Sequence, residues 1–326
     1  MHKNRRSFIL AVAAAAAFLP SLAWTQQAYP TKPVKLIVPY APGGSGDTLA
    51  RFVAQRLSEM WSQQIVIDNR PGANGILGTE LAAKAAPDGY TLYFGTDSQV
   101  SINPSLYASL PYDWKRDFAP ISLLATMTQV LLVPASLPVH SVQDLIALAR
   151  QRPGTLNYAS IGVGSTPHLE AELFKSLTGV NIVHVPYKTA PQTMTSLLTG
   201  EAQLLFTSES TAAPHIKAGK VRAIASVGRK RTNASPEVPT LVESGLPDYE
   251  MGSWFALLAP TGTPEAIIRK VNADVVKVLE SKELRAALAV VGLEAQSSSP
   301  EGLRDHAQRD YERQSALIRK LGIKPQ

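Results

Sequence analysis

The residues of this sequence best suited to chemistry form a glycine-rich turn between a predicted strand, residues 34–38, and a predicted helix, residues 48–60. Glycine lets the backbone approach a ligand closely, and the amides at a helix start carry the positive end of the helix dipole. The turn therefore favours an anion, the structural alternative being a tight turn with Asp47 as a plain helix cap. The residues of this turn assigned to ligand binding are Tyr40, Pro42, Gly43, Gly44, Ser45, Asp47 and Thr48.

A second turn of the same kind follows the predicted strand at residues 156–159 and precedes a helix predicted at residues 167–177. Pro167 fits the opening turn of that helix, and Ser165 can be its cap. We expect the two turns to face each other across a cleft. The residues assigned here are Gly164, Ser165, Thr166 and His168.

Polar residues at other strand ends complete the predicted site. Tyr187 and Lys188 follow a strand and can point donors into the cleft, although a surface lysine is an equal alternative. The further residues assigned to the site are Thr96, Ser98 and Thr207.

Enzyme motifs built on similar glycines are absent. A nucleophile elbow around Ser45 would need glycine at position 47, where the sequence has aspartate, and no phosphate loop or dinucleotide fingerprint is present. His168 and His184 match no metal-binding spacing, so a structural role is the better interpretation. We therefore expect no catalytic residue, no metal and no cofactor.

The elements that position these turns repeat in two sets. Short β-branched or aromatic runs alternate with helical patterns of about a dozen residues, which is typical of parallel α/β units. A strand at residues 254–258 and three helices at 264–280, 283–291 and 300–321 follow, with no later strand. These helices must pack back on the first unit. The sequence thus predicts two α/β lobes with a hinge and a central cleft, made of residues 24–124 and 251–326 in one lobe and 125–250 in the other.

The N-terminus predicts export. A basic start followed by an apolar run of about a dozen residues and Ser21-Leu22-Ala23 is typical of a signal peptide, here residues 1–23. Arg5-Arg6 also resembles a twin-arginine signal, so the Sec and twin-arginine routes both stay open. Without cysteine the fold must depend on packing alone. The formal charge of +6 falls to +3 once Lys3, Arg5 and Arg6 leave, which argues against nucleic acid as a partner.

The chain resembles the Bug family, the periplasmic binding proteins of the tripartite tricarboxylate transporters. The resemblance covers nearly the whole mature chain. It rests on residues 40–44 with Asp47, 69–73, 86–92, 103–107, 117–121, 157–170, 185–188 and 260–264. It implies the type II periplasmic binding protein fold, a monomer in the periplasm, and membrane transporter subunits as partners. It also implies a ligand carboxylate held by the two turns, partly through bridging waters.

The chain departs from the family pattern at several positions near the cleft. Thr189 replaces a glycine, the proline is shifted to Pro191, Ser196 replaces an aspartate, and residues 206–208 lack a second acid. Because an ammonium group would have fewer partners, a simple or aromatic carboxylate is favoured over an amino acid. Two other functions stay open: a sensory protein that signals to a membrane kinase, and, less favoured, a hydrolase using Ser45 or Ser165.

Overall fold

The computed structural model describes residues 29–323 apart from 128, 229, 233, 234 and 250. The predicted signal peptide, residues 1–23, lies outside the described residues. The elements considered below all belong to the compact unit Lys32–Gln326.

The elements largely follow the predicted alternation of strands and helices. The strands are β1 (Val34–Val38), β2 (Ile65–Asn69), β3 (Thr91–Thr96), β4 (Phe118–Met127), β5 (Gln129–Pro134), β6 (Asn157–Ser160), β7 (Val183–Pro186), β8 (Leu204–Ser208), β9 (Val221–Ser226), β10 (Ser253–Pro260) and β11 (Leu293–Ala295). The helices are α1 (Ser45–Trp61), α2 (Ile76–Ala83), α3 (Asn103–Leu106), α4 (Trp114–Asp117), α5 (Val142–Gln151), α6 (Thr166–Thr178), α7 (Ala190–Thr199), α8 (Glu209–Lys217), α9 (Glu265–Glu280), α10 (Lys282–Val290) and α11 (Pro300–Lys320). A π-helical turn, Ser98–Ile102, joins β3 to α3.

The first sheet has the strand order β11-β4-β10-β3-β1-β2. β1 pairs in parallel with β2 and β3, as expected for successive α/β units. β10, from the C-terminal part of the chain, lies antiparallel between β3 and β4. The C-terminal segment therefore contributes strands to the first sheet.

The second sheet has the strand order β7-β6-β8-β5-β9. β6 pairs in parallel with β7 and β8, while β5 is antiparallel to both of its neighbours. The chain enters this sheet between Met127 and Gln129 and leaves it between Ser226 and Ser253. Two connections therefore join the two sheets.

The structure corrects the expectation that no strand follows residues 254–258. The short strand β11 pairs antiparallel with β4, and β4 itself was not predicted. β4 lies between β10 and β11 and is largely buried, so its sequence is an apolar run without the alternation that marks a half-buried strand.

The C-terminal helix α11 joins the hydrophobic cores of both sheets. Its Leu303 and Ala307 pack with Tyr93, Phe118 and Trp254 of the first sheet's core. Near its end, Leu317 and Ile318 belong to the core formed by β5, β6, β8 and α6. In the part of the chain described here, no helix is long and apolar enough to span a membrane.

Candidate ligand-binding site

The first glycine turn, residues 40–44 (turn 1), exposes its backbone. Gly43 has φ +94°, a conformation that strains any residue with a side chain. A Cβ added at Gly43 or Gly44 would meet no heavy atom within 4 Å. Gly44 is the N-cap of α1 and has no side chain to occupy the first amides of the helix. Among the described residues, no acceptor meets the amides of residues 45–47, which can therefore bind an anion.

Asp47 braces turn 1 from inside the protein. The side chain accepts hydrogen bonds from the Gly43 amide at 3.0 Å, Arg51 Nε at 2.8 Å and Asn69 Nδ2 at 2.8 Å. Burial acts to raise the pKa of Asp47, but these three hydrogen bonds outweigh it and lower that pKa. Both carboxylate oxygens thus accept hydrogen bonds from the protein itself. The sequence assigned no role in the site to Asn69, although Asn69 opens the motif at residues 69–73.

Hydrogen bonds between hydroxyl and amide side chains connect turn 1 to the end of β3. Tyr40 Oη lies 2.6 Å from Thr96 Oγ1, which donates to Gln99 Oε1 at 2.8 Å. The Ser98 amide donates to Thr96 Oγ1 at 3.3 Å. Burial, followed by the charge of Asp97, raises the pKa of Tyr40 to about 12, so its hydroxyl remains protonated. Gln99 belongs to none of the sequence motifs and was not predicted as a site residue.

The second glycine turn, residues 160–165 (turn 2), is built in the same way. Gly162 and Gly164 have φ +116° and +78°. Ser165 is the N-cap of α6, but its hydroxyl donates back to the Gly162 carbonyl at 2.7 Å instead of capping the helix. The amides of Thr166 and His168 have no acceptor among the described residues. Turn 2 therefore also presents the start of a helix without a side-chain cap.

The His168 ring supports turn 2 and faces the protein interior. Its Nδ1 accepts a hydrogen bond from the Gly164 amide at 3.2 Å. The ring lies 4.5 Å from that of His184, which stacks on Tyr158 at 4.8 Å. Burial first, and His184 second, lower the pKa of His168 to about 4, so the ring is neutral at pH 7. What His168 can offer a ligand is its backbone amide.

Among the described residues, neither Ser160 nor Ser165 belongs to a recognisable hydrolytic centre. Ser160 Oγ lies 2.6 Å from His184 Nε2, but Ser160 is fully buried and also accepts the Gly162 amide at 3.0 Å. Ser165, one of the two serines considered for hydrolysis, donates to a backbone carbonyl. Over the described part of the chain, no three metal-ligating side chains come together.

The remaining predicted residues lie in β8 or directly after β7 of the second sheet. The Tyr187 amide donates to the Ser160 carbonyl at 2.8 Å, and its ring packs against the core that contains Met194. Lys188 is exposed, and its amide donates to Gln192 Oε1 at 3.0 Å. Thr207 is buried in β8, next to β6. The structure thus places Tyr187 beside turn 2 but gives the Lys188 ammonium no ion pair within the described residues.

The two turns belong to different sheets, and Leu106 of α3 lies against turn 2. Leu106 ends α3, which follows β3 of the first sheet, yet it packs in the core of the second. A Cβ added at Gly164 would overlap Leu106 Cδ1. Across the described part of the chain, no hydrogen bond joins turn 1 to turn 2. Each turn is therefore braced by its own neighbours.

Comparisons with known proteins agree with this architecture. The family model described as "Tripartite tricarboxylate transporter family receptor" matches residues 49–323. "Protein BugT" of Bordetella pertussis is 35% identical over 297 residues, which is 91% of each chain.

Two solved structures are also similar. "R. palustris Rpa4515 with adipate" has a TM-score of 0.83 and 39% identity, over 91% of this chain and 100% of that one. "Structure of periplasmic binding protein BugD" has a TM-score of 0.78 and 29% identity, over 91% and 100%. The predicted two-lobed α/β fold class is confirmed.

Proposed function

Because this chain belongs to the tripartite tricarboxylate transporter receptor family, we propose that it captures a small carboxylate between its two lobes and delivers it to a tripartite membrane transporter. The observation that carries the proposal is the pair of glycine turns whose helix starts have no side-chain cap. The resemblance to the Bug proteins, confirmed by BugT and BugD, supports a periplasmic location.

Both turns suit a carboxylate. Each offers backbone amides at a helix start, where the helix dipole also favours negative charge. A hydrogen bond to a charged acceptor contributes about 1.5–3 kcal/mol, so three or four supply most of the roughly 8 kcal/mol of micromolar binding. Only a closed arrangement lets both turns contact one carboxylate, which couples affinity to closure. The adipate in the R. palustris structure is a carboxylate of this kind.

The ligand class is inferred from a departure from the family pattern in α7. Ser196, which stands where the family pattern has an acid, is buried and donates to the Thr193 carbonyl at 2.8 Å. It offers an ammonium group no negative charge. A simple or aromatic carboxylate is therefore favoured over an amino acid, and the protein binds its ligand without converting it.

The predicted site residues, the lobe boundaries at 124 and 250 and the monomeric state remain parts of this proposal. Asp47, Thr96 and the His168 ring act within it by holding the turns, while the glycines and the helix-start amides contact the ligand.

A thermal-shift screen of the purified exported protein tests the proposal. The panel contains aliphatic dicarboxylates including adipate, aromatic monocarboxylates, amino acids, and the primary amides of the same acids. We expect stabilisation by at least one carboxylate and none by its amide. Stabilisation by amides or amino acids alone would contradict the proposal, and chromatography of the recovered ligand should show it unchanged.

A further inference from the structure

Two buried carboxyl groups lie behind the turns, and neither has an ion pair within the described part of the chain. Asp97 follows β3 and is 3% exposed, and Glu170 lies in α6 and is fully buried. Asp97 Oδ2 and both carboxyl oxygens of Glu170 have no hydrogen-bond partner among the described residues. Because burying an ionised carboxylate without a partner is strongly unfavourable, these groups need a proton or a cation.

The groups that face Asp97 do not neutralise it. The nearby Ser98 amide and Ser253 hydroxyl favour its ionised form. Asp310 of α11 adds a second negative charge, while Arg313 is ion-paired with Asp310. Burial first, and Asp310 second, outweigh the hydrogen bonds and raise the pKa of Asp97 to about 8.

Among the residues that the structure describes, no cationic side chain pairs with the Glu170 carboxyl. The Tyr249 hydroxyl donates to the backbone carbonyl of Glu170 at 3.0 Å and leaves the carboxyl group unbonded. On the same helix, Lys175 is paired with Glu172, and the pKa of His168 is lowered. Burial, and then the charge of Asp97, raise the pKa of Glu170 well above its ordinary value.

We propose that Asp97 and Glu170 form a buried proton-binding site between the two halves of the molecule, and that at neutral pH at least one of the two carboxyls keeps its proton. One group comes from the first sheet and the other from a helix of the second. Loss of the last proton would place two negative charges in the same dry region, which favours states in which the carboxyls reach water.

The site lies directly behind both ligand turns. Asp97 follows Thr96, which is bonded to Tyr40 of turn 1, and Glu170 lies one helical turn past the start of α6 at turn 2. Deprotonation therefore disturbs the elements that align the two turns. This link to ligand capture rests on the proposed function, whereas the proton site itself can be tested without any ligand.

The direct test is carbon-13 NMR of the exported protein, labelled at the Asp and Glu carboxyls and free of ligand, from pH 4 to 9.5. We expect a carboxyl resonance in the protonated position at pH 7, assigned by its loss in Glu170→Gln or Asp97→Asn. A spectrum in which every carboxyl is ionised at pH 6 would overturn the proposal. The wild-type spectrum alone decides this even if a variant does not fold.

The pH dependence of stability gives a second measurement. The raised pKa values stabilise the fold at pH values below the ordinary carboxyl pKa. This stabilisation is lost as the pH rises toward the pKa of Asp97, about 8. The unfolding equilibrium constant should increase by up to about tenfold per pH unit for each proton released. In Glu170→Gln, the unfolding equilibrium constant should rise about tenfold less per pH unit than in the wild type. The proposal would be overturned if the pH dependence were unchanged in both Glu170→Gln and Asp97→Asn.

Glu172→Gln is the matched control. It makes the same chemical change two residues away on α6, but Glu172 is bonded to Tyr158 and Lys175 and its pKa is lowered. Between pH 6 and 9, its unfolding equilibrium constant should change with pH as that of the wild type does.

A bound cation is the competing occupant of the same oxygens. Stability at pH 7 should be the same after dialysis against chelator and in sodium, potassium or choline buffers. If stability required one of these ions or a divalent ion, the site would hold a cation in place of a proton, which would contradict the proposal.

Discussion

At the scale of one residue, we expect a substitution of Gly44 to impair ligand binding without impairing folding. Its backbone has φ −80° and ψ 169°, which valine also adopts, and an added Cβ meets nothing within 4 Å. Gly44→Val should therefore fold normally but fill the space in which an anion meets the helix start. A ligand at 100 times its Kd stabilises the normal protein by about 2.7 kcal/mol, and the variant should lose this in thermal unfolding.

Gly252→Val is the control for this change, because an added Cβ there also meets nothing within 4 Å and the position lies outside both turns. It should keep its ligand response. Calorimetry that shows near-normal affinity for a folded Gly44→Val would place the site elsewhere.

Asp47 acts through the backbone it holds. In Asp47→Asn, an amide nitrogen must replace one of two oxygens that accept hydrogen bonds from Gly43, Arg51 and Asn69. We expect a loss of about 1–3 kcal/mol in the free energy of unfolding at pH 7. Since the pKa of Asp47 is lowered, its contribution is present above the unfolded pKa of about 3.9 and lost as the pH falls below it.

Denaturant unfolding at pH 7 and at pH 3 measures this difference, which should be smaller at pH 3. Glu59→Gln, in an exposed ion pair on the same helix, should cost less than about 0.5 kcal/mol at both pH values. An equal effect of the two substitutions at pH 7 would show that Asp47 is not a brace.

At the scale of elements, α3 of the first half packs against turn 2 of the second half. Gly164→Ala introduces both a positive-φ side chain and an overlap with Leu106, whereas Gly162→Ala, at φ +116°, introduces backbone strain alone. We expect Gly164→Ala to destabilise the protein more, even though Gly162 has the less permissive φ. Thermal unfolding of the two variants provides the comparison.

A double-mutant cycle isolates the overlap. Leu106→Ala alone should cost about 2–5 kcal/mol, because Leu106 is buried in the second core. In the Gly164→Ala background the same truncation should cost less, since it also removes the clash. Additive effects would mean that the two side chains do not compete for space.

At the scale of the whole molecule, α11 packs in the cores of both sheets, through Leu303 and Ala307 in one and Leu317 and Ile318 in the other. Export is the other property of the whole chain. The basic start, the short apolar run and Ser21-Leu22-Ala23 predict that the exported protein begins at Trp24. Intact-mass measurement of periplasmic protein should show the loss of residues 1–23, and a mass that retains residues 8–19 would refute it.

The sequence by itself determined the two strand-turn-helix units and the family. Glycine spacing, helix-start residues and apolar periodicity are local signals, so turn 1, turn 2 and most of the strands and helices around them could be identified without coordinates. The motif at residues 69–73 also placed Asn69 in the right region, although not its bond to Asp47.

Only the tertiary structure decided which groups meet across long stretches of chain. β10 inserts between β3 and β4, α11 reaches both cores, and Asp97 lies near Glu170, because sheet pairing and packing select these partners. Local patterns carry no information about such pairings. The structure also shows that the side chains of Asp47 and His168 accept hydrogen bonds from Gly43 and Gly164, four residues earlier in their own turns, which their positions in the sequence did not reveal.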